Sequence, residues 1–267
     1  MIILIAGASG VLGREIFKRL SNFGFEVYRI NRFNETAIFF EYHIQNPFIP
    51  VVKIKYDVII NCAYNYNDKR LDDRNINLII NQNLIAFSKK NNIPLFINIS
   101  SMSAFEGCLS SYGNIKLLIE KKVALNNGYS FRLGLFEDKH PVGLIKNILE
   151  INKIIPFFSL GVKNNNLPQY ITNLDKLSKF LESFLKNEVV INPDIYSLVN
   201  SQPLEFNEII FAVTKKPPIK IPVLILKLIL FIYELLPLPK LRFNLDSLKG
   251  LLFPVKQVKN LIHLERF

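Results

Sequence analysis

The chain has 267 residues, of which 49% are hydrophobic and 21% charged, and its 33 basic and 22 acidic side chains give a net charge of +11. This composition excludes a disordered or fibrous chain, and two cysteines are too few for a disulfide scaffold or a four-thiolate zinc site. The basic residues are scattered rather than interleaved with aromatic residues, so we expect an anionic small-molecule ligand and no nucleic-acid partner.

Short apolar runs alternate with helical patterns through the first 136 residues. The runs predicted to be strands are Ile2–Ala6, Glu26–Ile30, Ala37–Tyr42, Asp57–Asn61, Leu95–Ser100 and Tyr129–Leu133. Apolar residues spaced three or four positions apart predict helices over 12–20, 80–87 and 112–122. Alternating strands and helices are typical of a parallel sheet that is covered on both faces. We therefore predict an α/β protein with a Rossmann-like, doubly wound parallel sheet.

The pattern loosens after Phe136, where prolines become frequent. An apolar helix face starting at Leu174, with Thr172 or Asn173 as its N-cap, and a strand over Tyr196–Val199 are still predicted. The sequence therefore indicates two parts. The first is a Rossmann domain formed by 1–138 and 171–200, and the second is a small, mainly helical, substrate-binding lobe formed by 139–170 and 201–267.

The segment 219–241 is very apolar, but Lys227 and Glu234 interrupt it. No uninterrupted stretch approaches the roughly 20 residues that span a bilayer, so we predict no transmembrane span. A helix packed within the lobe is the first interpretation, and a peripheral helix on a membrane surface is the alternative. The apolar N-terminus lacks a basic lead and runs directly into a glycine loop, so we interpret it as a strand and expect a cytoplasmic protein.

A glycine loop with the spacing G-x-x-G-x-x-G follows the first strand. Gly7 allows a tight turn, Gly10 leaves room for a pyrophosphate, and Gly13 lets the next helix pack close to the sheet. Phosphates are bound there by backbone N–H groups at the positive end of a helix. We therefore predict that this loop, with Ser9 and Val11, binds a dinucleotide.

The end of the second strand indicates which dinucleotide binds. An acidic residue at this position would accept a hydrogen bond from the adenosine ribose and select NAD. This chain has Asn31 and Arg32 there, and Arg32 is suited to a 2′-phosphate, with help from Arg14. We predict NADP as the cofactor and keep NAD as the alternative.

Tyr112 and Lys116 lie four residues apart on a predicted helix, which places both on one face. A nearby ammonium lowers the pKa of a phenol, so Tyr112 can exchange a proton with a substrate hydroxyl while hydride moves to or from a nicotinamide. Lys116 would also hold the nicotinamide ribose. A serine hydroxyl in the stretch 99–107, at the end of the fifth predicted strand, would bind the reacting oxygen, and the alternative is a serine that only caps the next turn.

Together these motifs resemble those of the extended short-chain dehydrogenase/reductase superfamily, in its NAD-dependent epimerase/dehydratase family. Residues 57–63 are similar to its D-x-V-I-N-x-A strand, Asn77 and Asn83 to its N-x5-N helix, and 112–120 to Y-G-x-x-K-x-x-x-E. Residues 100–107 are similar to the S-T-D-Y-V-F-D-G stretch of dTDP-4-dehydrorhamnose reductases. The resemblance implies that Cys62 and Ala63 contact the cofactor. It also implies that Ser101, Tyr112 and Lys116 are catalytic, with Met102 as the alternative in the serine position.

The resemblance further implies hydride transfer at a carbinol or keto carbon, of a nucleotide-linked sugar used in polysaccharide synthesis. Reduction and 4-epimerisation use the same residues, and both stay open. Dehydration is disfavoured because Met102 and Ser103 replace the Asp-Glu pair of the dehydratases. A homodimer is also implied. Two other interpretations are a non-catalytic NADP-binding sensor or scaffold and a reductase of a lipid-like substrate.

Overall fold

The computed structural model describes residues 1–30, 42–43, 46–47, 54–137, 160–162, 168–200, 202–217, 219–222, 225, 258 and 260–267. The strands are β1 (Ile2–Ala6), β2 (Glu26–Ile30), β3 (Tyr42–His43), β4 (Asn46–Pro47), β5 (Val58–Asn61), β6 (Leu95–Ser101), β7 (Tyr129–Leu133), β8 (Leu135–Glu137), β9 (Leu160–Val162), β10 (Pro168–Gln169), β11 (Ile171–Asn173), β12 (Ile195–Val199), β13 (Leu204–Glu205), β14 (Ile219–Ile221) and β15 (Leu261–His263). The helices are α1 (Val11–Asn22), α2 (Ile76–Lys90), α3 (Ser111–Ala124), α4 (Leu174–Leu185) and α5 (Phe206–Thr214), and a 3-10 turn covers Leu264–Arg266.

Seven strands form one parallel sheet in the order β2-β1-β5-β6-β7-β12-β15. The chain moves outward from β1 to β2 and then returns to the other side of β1 with β5. The strand order therefore reverses between β1 and β5, where ligands of open α/β sheets bind beyond the carboxyl ends of the strands. The predicted Rossmann-like fold class is confirmed.

The core forms on both faces of this sheet because side chains alternate along each strand. Ile3 and Ile5 of β1 pack in a cluster with α1 and α4, whereas Leu4 packs in a second cluster with α2 and α3. All three side chains are fully buried. Helices on both faces explain why the strands consist of nearly continuous apolar residues.

The helix starting at residue 174 shows how the sequence sets an element boundary. The Asn173 side chain accepts hydrogen bonds from the backbone N–H groups of Asp175 and Lys176, so Asn173 caps α4. Thr172, the other candidate cap, instead donates to the Leu198 carbonyl and accepts from the Gly134 N–H. Thr172 therefore ties the start of α4 to the sheet.

Two expectations concern segments that lie largely outside the described residues. The predicted strand over 37–42 lies outside the described residues except for Tyr42, in β3. The helix predicted over 219–241 begins instead with β14, which pairs with β9, and most of that segment also lies outside the described residues. In the part of the chain that the structure describes, no helix is long and apolar enough to cross a membrane.

The C-terminal residues return to the main sheet. We had assigned all of 201–267 to the lobe, but β15 pairs in parallel with β12 and forms the sheet edge. A three-residue strand has too short a pattern to be recognised in the sequence. The other boundaries of the two predicted domains stay a prediction.

Candidate active site

The glycine loop joins β1 to α1 at the point where the strand order reverses. Gly7 has a positive φ of 79°, and a Cβ there would lie 2.6 Å from the Ala63 backbone. A Cβ on Gly13 would lie 2.3 Å from the Gly7 carbonyl oxygen. These positions exclude a side chain because the loop, the helix and the end of β5 are in close contact.

Gly10 is the N-cap of α1, and it offers no side chain to pair with the first N–H groups of the helix. Its own N–H donates to the Gly7 carbonyl at 3.0 Å, which closes the turn. Ser9, Gly10 and Val11 are exposed, and the first turn of α1 has no acidic residue. The unpaired N–H groups and the positive end of the helix dipole therefore fit an anion such as pyrophosphate.

Cys62 and Ala63 lie directly beside this loop, at the carboxyl end of β5. The Cys62 N–H donates to the Ala6 carbonyl at 2.9 Å, and the Ala63 N–H donates to the Asn61 side chain at 3.0 Å. Burial raises the pKa of the Cys62 thiol to about 12, although the Lys116 ammonium opposes this shift. Cys62 is therefore a neutral thiol that shapes the wall of the site.

Tyr112 lies in the first turn of α3, next to the end of β6. The Ser110 side chain caps the helix by accepting a hydrogen bond from the Gly113 N–H at 2.9 Å. A Cβ on Gly113 would lie 2.2 Å from the Ser103 carbonyl, so the helix start packs directly against the segment that follows Ser101. This close packing brings the Tyr112 hydroxyl into hydrogen bonding with the Ser101 side chain.

Lys116 is buried one turn further along α3, with 4% of its surface exposed. Its ammonium donates to the Ile99 carbonyl at 2.7 Å and lies 6.0 Å from the centre of the Tyr112 ring. Burial lowers the pKa of Lys116 to about 8, although Cys62 and Glu120 act in the opposite direction. The structure thus brings Ser101, Tyr112 and Lys116 together, as expected from their spacing.

The acidity of Tyr112 differs from the expectation. We expected the neighbouring ammonium to lower the pKa of the phenol, but burial raises it well above its usual value. Tyr66 adds to this increase, and the hydrogen bond with Ser101 opposes it. Desolvation is the largest effect on the pKa of Tyr112, and Lys116 is not among the groups that shift it.

Sequence reasoning missed the tyrosines that pack around Tyr112. The centre of the Tyr64 ring lies 4.8 Å from that of Tyr112, and the Lys116 ammonium lies 5.2 Å from the Tyr64 ring centre. Tyr66 stacks on Tyr112 with an interplanar angle of 17°. Their place after β5, at the carboxyl edge of the sheet, was the available signal.

A buried ion pair lies behind the site. Arg132 of β7 donates two hydrogen bonds to the Glu120 carboxylate of α3, at 2.8 and 2.7 Å, and the Ser100 hydroxyl donates to the same carboxylate at 2.6 Å. Glu120 has no exposed surface. This network fixes α3, and hence Tyr112 and Lys116, against β6 and β7.

The two arginines that were predicted to select the cofactor differ in what the structure describes. Arg14 is exposed in the first turn of α1, and its backbone N–H donates a hydrogen bond to the Gly10 carbonyl. Arg32 lies outside the described residues, so its role toward a 2′-phosphate stays a prediction.

Comparison with known proteins agrees with this arrangement. Residues 3–131 match the model of the NAD dependent epimerase/dehydratase family. No curated protein sequence matches the chain.

Among solved structures, a UDP-N-acetylglucosamine 4-epimerase from Bacillus cereus is similar with a TM-score of 0.63 and 17% identity, over 83% of this chain and 88% of that one. A dTDP-4-dehydrorhamnose reductase from Clostridium acetobutylicum has a TM-score of 0.60 and 21% identity, over 83% of each chain. A UDP-glucose 4-epimerase from Thermus thermophilus, solved in complex with NAD, has a TM-score of 0.60 and 15% identity, over 83% and 86%. At these identities the similarity shows a shared fold. Together with the family match over residues 3–131, it confirms the resemblance of this chain to the extended short-chain dehydrogenase/reductase superfamily, in its NAD-dependent epimerase/dehydratase family.

Proposed function

We propose that this chain is an NAD(P)-dependent enzyme that transfers hydride at a carbinol or keto carbon of a nucleotide-linked sugar. The observation that carries the proposal is the convergence of Ser101, Tyr112 and Lys116 at the edge of the sheet that also bears the glycine loop. A proton-transferring phenol, a hydroxyl that orients the substrate and a dinucleotide cradle are the parts that such a reaction needs.

In this proposal, Gly7, Gly10 and Gly13 allow the loop to hold a pyrophosphate, together with the backbone at Ser9 and Val11. Cys62 and Ala63 form the neighbouring wall. A dinucleotide held there would supply or accept the hydride. Arg32 would favour the 2′-phosphate of NADP, whereas the description of the matching family supports NAD. The choice between them remains part of the proposal.

Side chains of the protein carry out the proton transfer. The Ser101 hydroxyl binds the substrate oxygen and hydrogen-bonds to Tyr112, so that the phenol and the reacting oxygen share one site. Tyr112 gives its proton to that oxygen in reduction and takes it back in oxidation. Lys116 holds the nicotinamide ribose.

The nature of the substrate is proposed from the structural neighbours, whose names refer to UDP-sugar epimerases and to a dTDP-4-dehydrorhamnose reductase. Reduction and epimerisation need the same residues. Consumption of the cofactor distinguishes them, because a reductase uses it in proportion to the product and an epimerase leaves it unchanged. A role in polysaccharide synthesis, a homodimer and a cytoplasmic location complete the proposal.

The substitution Tyr112→Phe tests this function. It keeps the ring and removes the proton, so we expect turnover of UDP- or dTDP-linked keto sugars to fall by about 100-fold or more. Affinity for NADPH or NADH should stay within about twofold. Tyr129→Phe is the matched control, because the Tyr129 hydroxyl bonds to the Ile191 carbonyl away from the site. A wild-type protein that binds the dinucleotide but turns over no carbonyl or alcohol would support a sensor or scaffold instead.

A further inference from the structure

Two tyrosine rings pack against the ring of Tyr112, the proposed proton donor. The ring centres of Tyr64 and Tyr66 are 4.9 Å apart, and those of Tyr66 and Tyr112 are 5.8 Å apart in a stacked arrangement. Tyr64 meets both neighbours with its ring tilted by 60° and 75°. Edge-to-face and stacked pairs are favourable geometries for aromatic rings, so the cluster holds the Tyr112 ring from two sides.

The backbone that carries Tyr64 and Tyr66 is held in a fixed position. Asn77, in the first turn of α2, accepts a hydrogen bond from the Asn65 N–H at 2.6 Å and donates to the Asn65 carbonyl at 3.0 Å. Only 2% of the Asn77 surface is exposed. The Asn65 side chain in turn accepts from the Asn67 N–H at 2.9 Å. The residue between the two tyrosines is therefore fixed by a buried amide.

Tyr66 combines this fixed backbone with an exposed side chain. It is 57% exposed, and it still stacks on Tyr112. Burial raises the pKa of the Tyr66 phenol. An exposed aromatic ring over a partly buried one forms a lid between solvent and the ring beneath it.

The groups that face Tyr112 come from three elements. Tyr64 and Tyr66 follow β5, Ser101 ends β6, and Lys116 and Glu120 lie on α3. The carboxylate of Glu120 and the two neighbouring phenols favour the neutral form of Tyr112, and only the Ser101 hydrogen bond favours its ionised form appreciably. The equilibrium between neutral and ionised Tyr112 is therefore sensitive to how much water reaches the Tyr112 hydroxyl.

We propose that Tyr66 is a positioning residue, whose stacked ring keeps water away from the Tyr112 hydroxyl and so holds Tyr112 as a neutral proton donor for a carbonyl substrate. This inference rests on the proposed function. In the step it serves, the carbonyl carbon accepts a hydride from a reduced nicotinamide and forms a C–H bond, which leaves the nicotinamide oxidised. The electron pair of the C=O double bond then forms an O–H bond with the Tyr112 proton. Tyr112 becomes a phenolate and regains a proton from solvent after the product leaves.

The test compares Tyr66→Ala and Tyr66→Ser, which remove the ring, with Tyr66→Phe, which keeps it. In protein labelled with carbon-13 at the tyrosine ring carbon that bears the hydroxyl, NMR follows the titration of Tyr112. Its resonance is the one that disappears in Tyr112→Phe. Tyr66→Phe removes only the phenol, which itself raises the pKa of Tyr112, so Tyr112 should titrate somewhat lower in this variant than in the wild type. We expect Tyr112 to titrate at a still lower pH in the Ala and Ser variants, which also lose the stacked ring. The alkaline limb of kcat for a carbonyl probe should shift in the same direction.

Equal titration of Tyr112 in Tyr66→Phe and in folded Ala and Ser variants would overturn the proposal, as would the absence of any titration in all of them before alkaline unfolding. Far-UV circular dichroism identifies the folded variants. The NMR experiment needs no ligand, so it judges the role of Tyr66 independently of hydride transfer. Failure of the wild type to bind NADH or NADPH would instead contradict the proposed function.

Discussion

Lys116 is the residue whose surroundings differ most from those of an ordinary lysine. A buried ammonium is unfavourable, and here only the Ile99 carbonyl, the Tyr64 ring and nearby groups such as Glu120 and Cys62 offset the loss of water. Its pKa of about 8 means that the charge is present at neutral pH but weakly held. A buried charge with such a shifted pKa is typical of functional sites, which agrees with the proposed role of Lys116 in holding the cofactor.

We predict that Lys116 gives the protein a distinctive pH dependence of stability. Its folded-state pKa, about 8, lies below the ordinary value of 10.5, so in this window the unfolded chain binds more protons and stability rises with pH. The free energy of unfolding of the wild type should therefore increase relative to Lys116→Met, by up to about 3 kcal/mol between neutral pH and about pH 10. Urea unfolding at both pH values measures this difference.

The control for this prediction is Lys186→Met. Lys186 is exposed, and it pairs with Glu182 one turn away on the surface of α4. Its pKa is raised by this partner, so its removal should not produce a gain in wild-type stability over the same window. Parallel pH curves for the wild type and Lys116→Met would contradict the assigned burial of the ammonium.

At the scale of elements, two glycines of the loop that joins β1 to α1 have different roles. A Cβ at Gly13 would meet the Gly7 backbone at 2.3 Å, whereas a Cβ at Gly10 would meet it at 3.3 Å. Gly13 is buried, and Gly10 is exposed at the helix N-terminus. Packing therefore excludes a side chain at Gly13, while at Gly10 the space is open toward a ligand.

We predict different consequences for Gly13→Ala and Gly10→Ala. Gly13→Ala should lower the free energy of unfolding by about 1–3 kcal/mol, because the helix must move away from the loop. Gly10→Ala should change stability by less than about 1 kcal/mol and raise the dissociation constant for NADH about tenfold, because the methyl group blocks the pyrophosphate. Urea unfolding and a fluorescence titration with NADH measure the two effects. Equal losses of stability in both variants would contradict this separation.

Elements with a long, regular pattern were predictable from the sequence. The apolar runs of β1 and β6 and the helical spacing at Leu174 are visible without a structure because each pattern repeats over several residues. The glycine loop and the spacing of Tyr112 and Lys116 were also readable, since each depends on local geometry alone. Contacts between distant segments were not readable in the same way.

The Tyr64, Tyr66 and Asn77 arrangement illustrates what could not be predicted. Asn77 and Asn65 are twelve positions apart, and their reciprocal hydrogen bonds depend on how α2 packs beside the end of β5. The raised pKa of Tyr112 has the same origin, because it reflects burial by segments that come together only in the fold. The sequence spacing identified the neighbours of Tyr112 on its own helix, but tertiary packing determines whether the pKa of Tyr112 rises or falls.

At the scale of the whole molecule, the sheet depends on residues from the far end of the chain. The Ser197 N–H donates to the Asn260 carbonyl at 3.1 Å, and the Asn260 side chain bonds to Asp194 at 2.8 Å. Leu264 then inserts into the core cluster on the α4 side of the sheet. The Phe267 ring meets that of Phe180 with centres 5.3 Å apart. These contacts close an edge of the sheet that would otherwise expose the backbone of β12.

We therefore predict that Leu264→Ala destabilises the whole domain, whereas the matched change Leu261→Ala does not. Leu264 has no exposed surface, and Leu261 is 40% exposed. Loss of the buried side chain should lower the free energy of unfolding by about 2–5 kcal/mol, against about 0.5 kcal/mol or less at the exposed position. Urea unfolding followed by circular dichroism measures both changes.

Because β1 and β5 lie several strands away from β15, the NADH affinity of folded Leu264→Ala protein should equal that of the wild type. Similar losses for the two leucines would mean that the C-terminal segment contributes little to the core, and that β12 is the functional edge of the sheet.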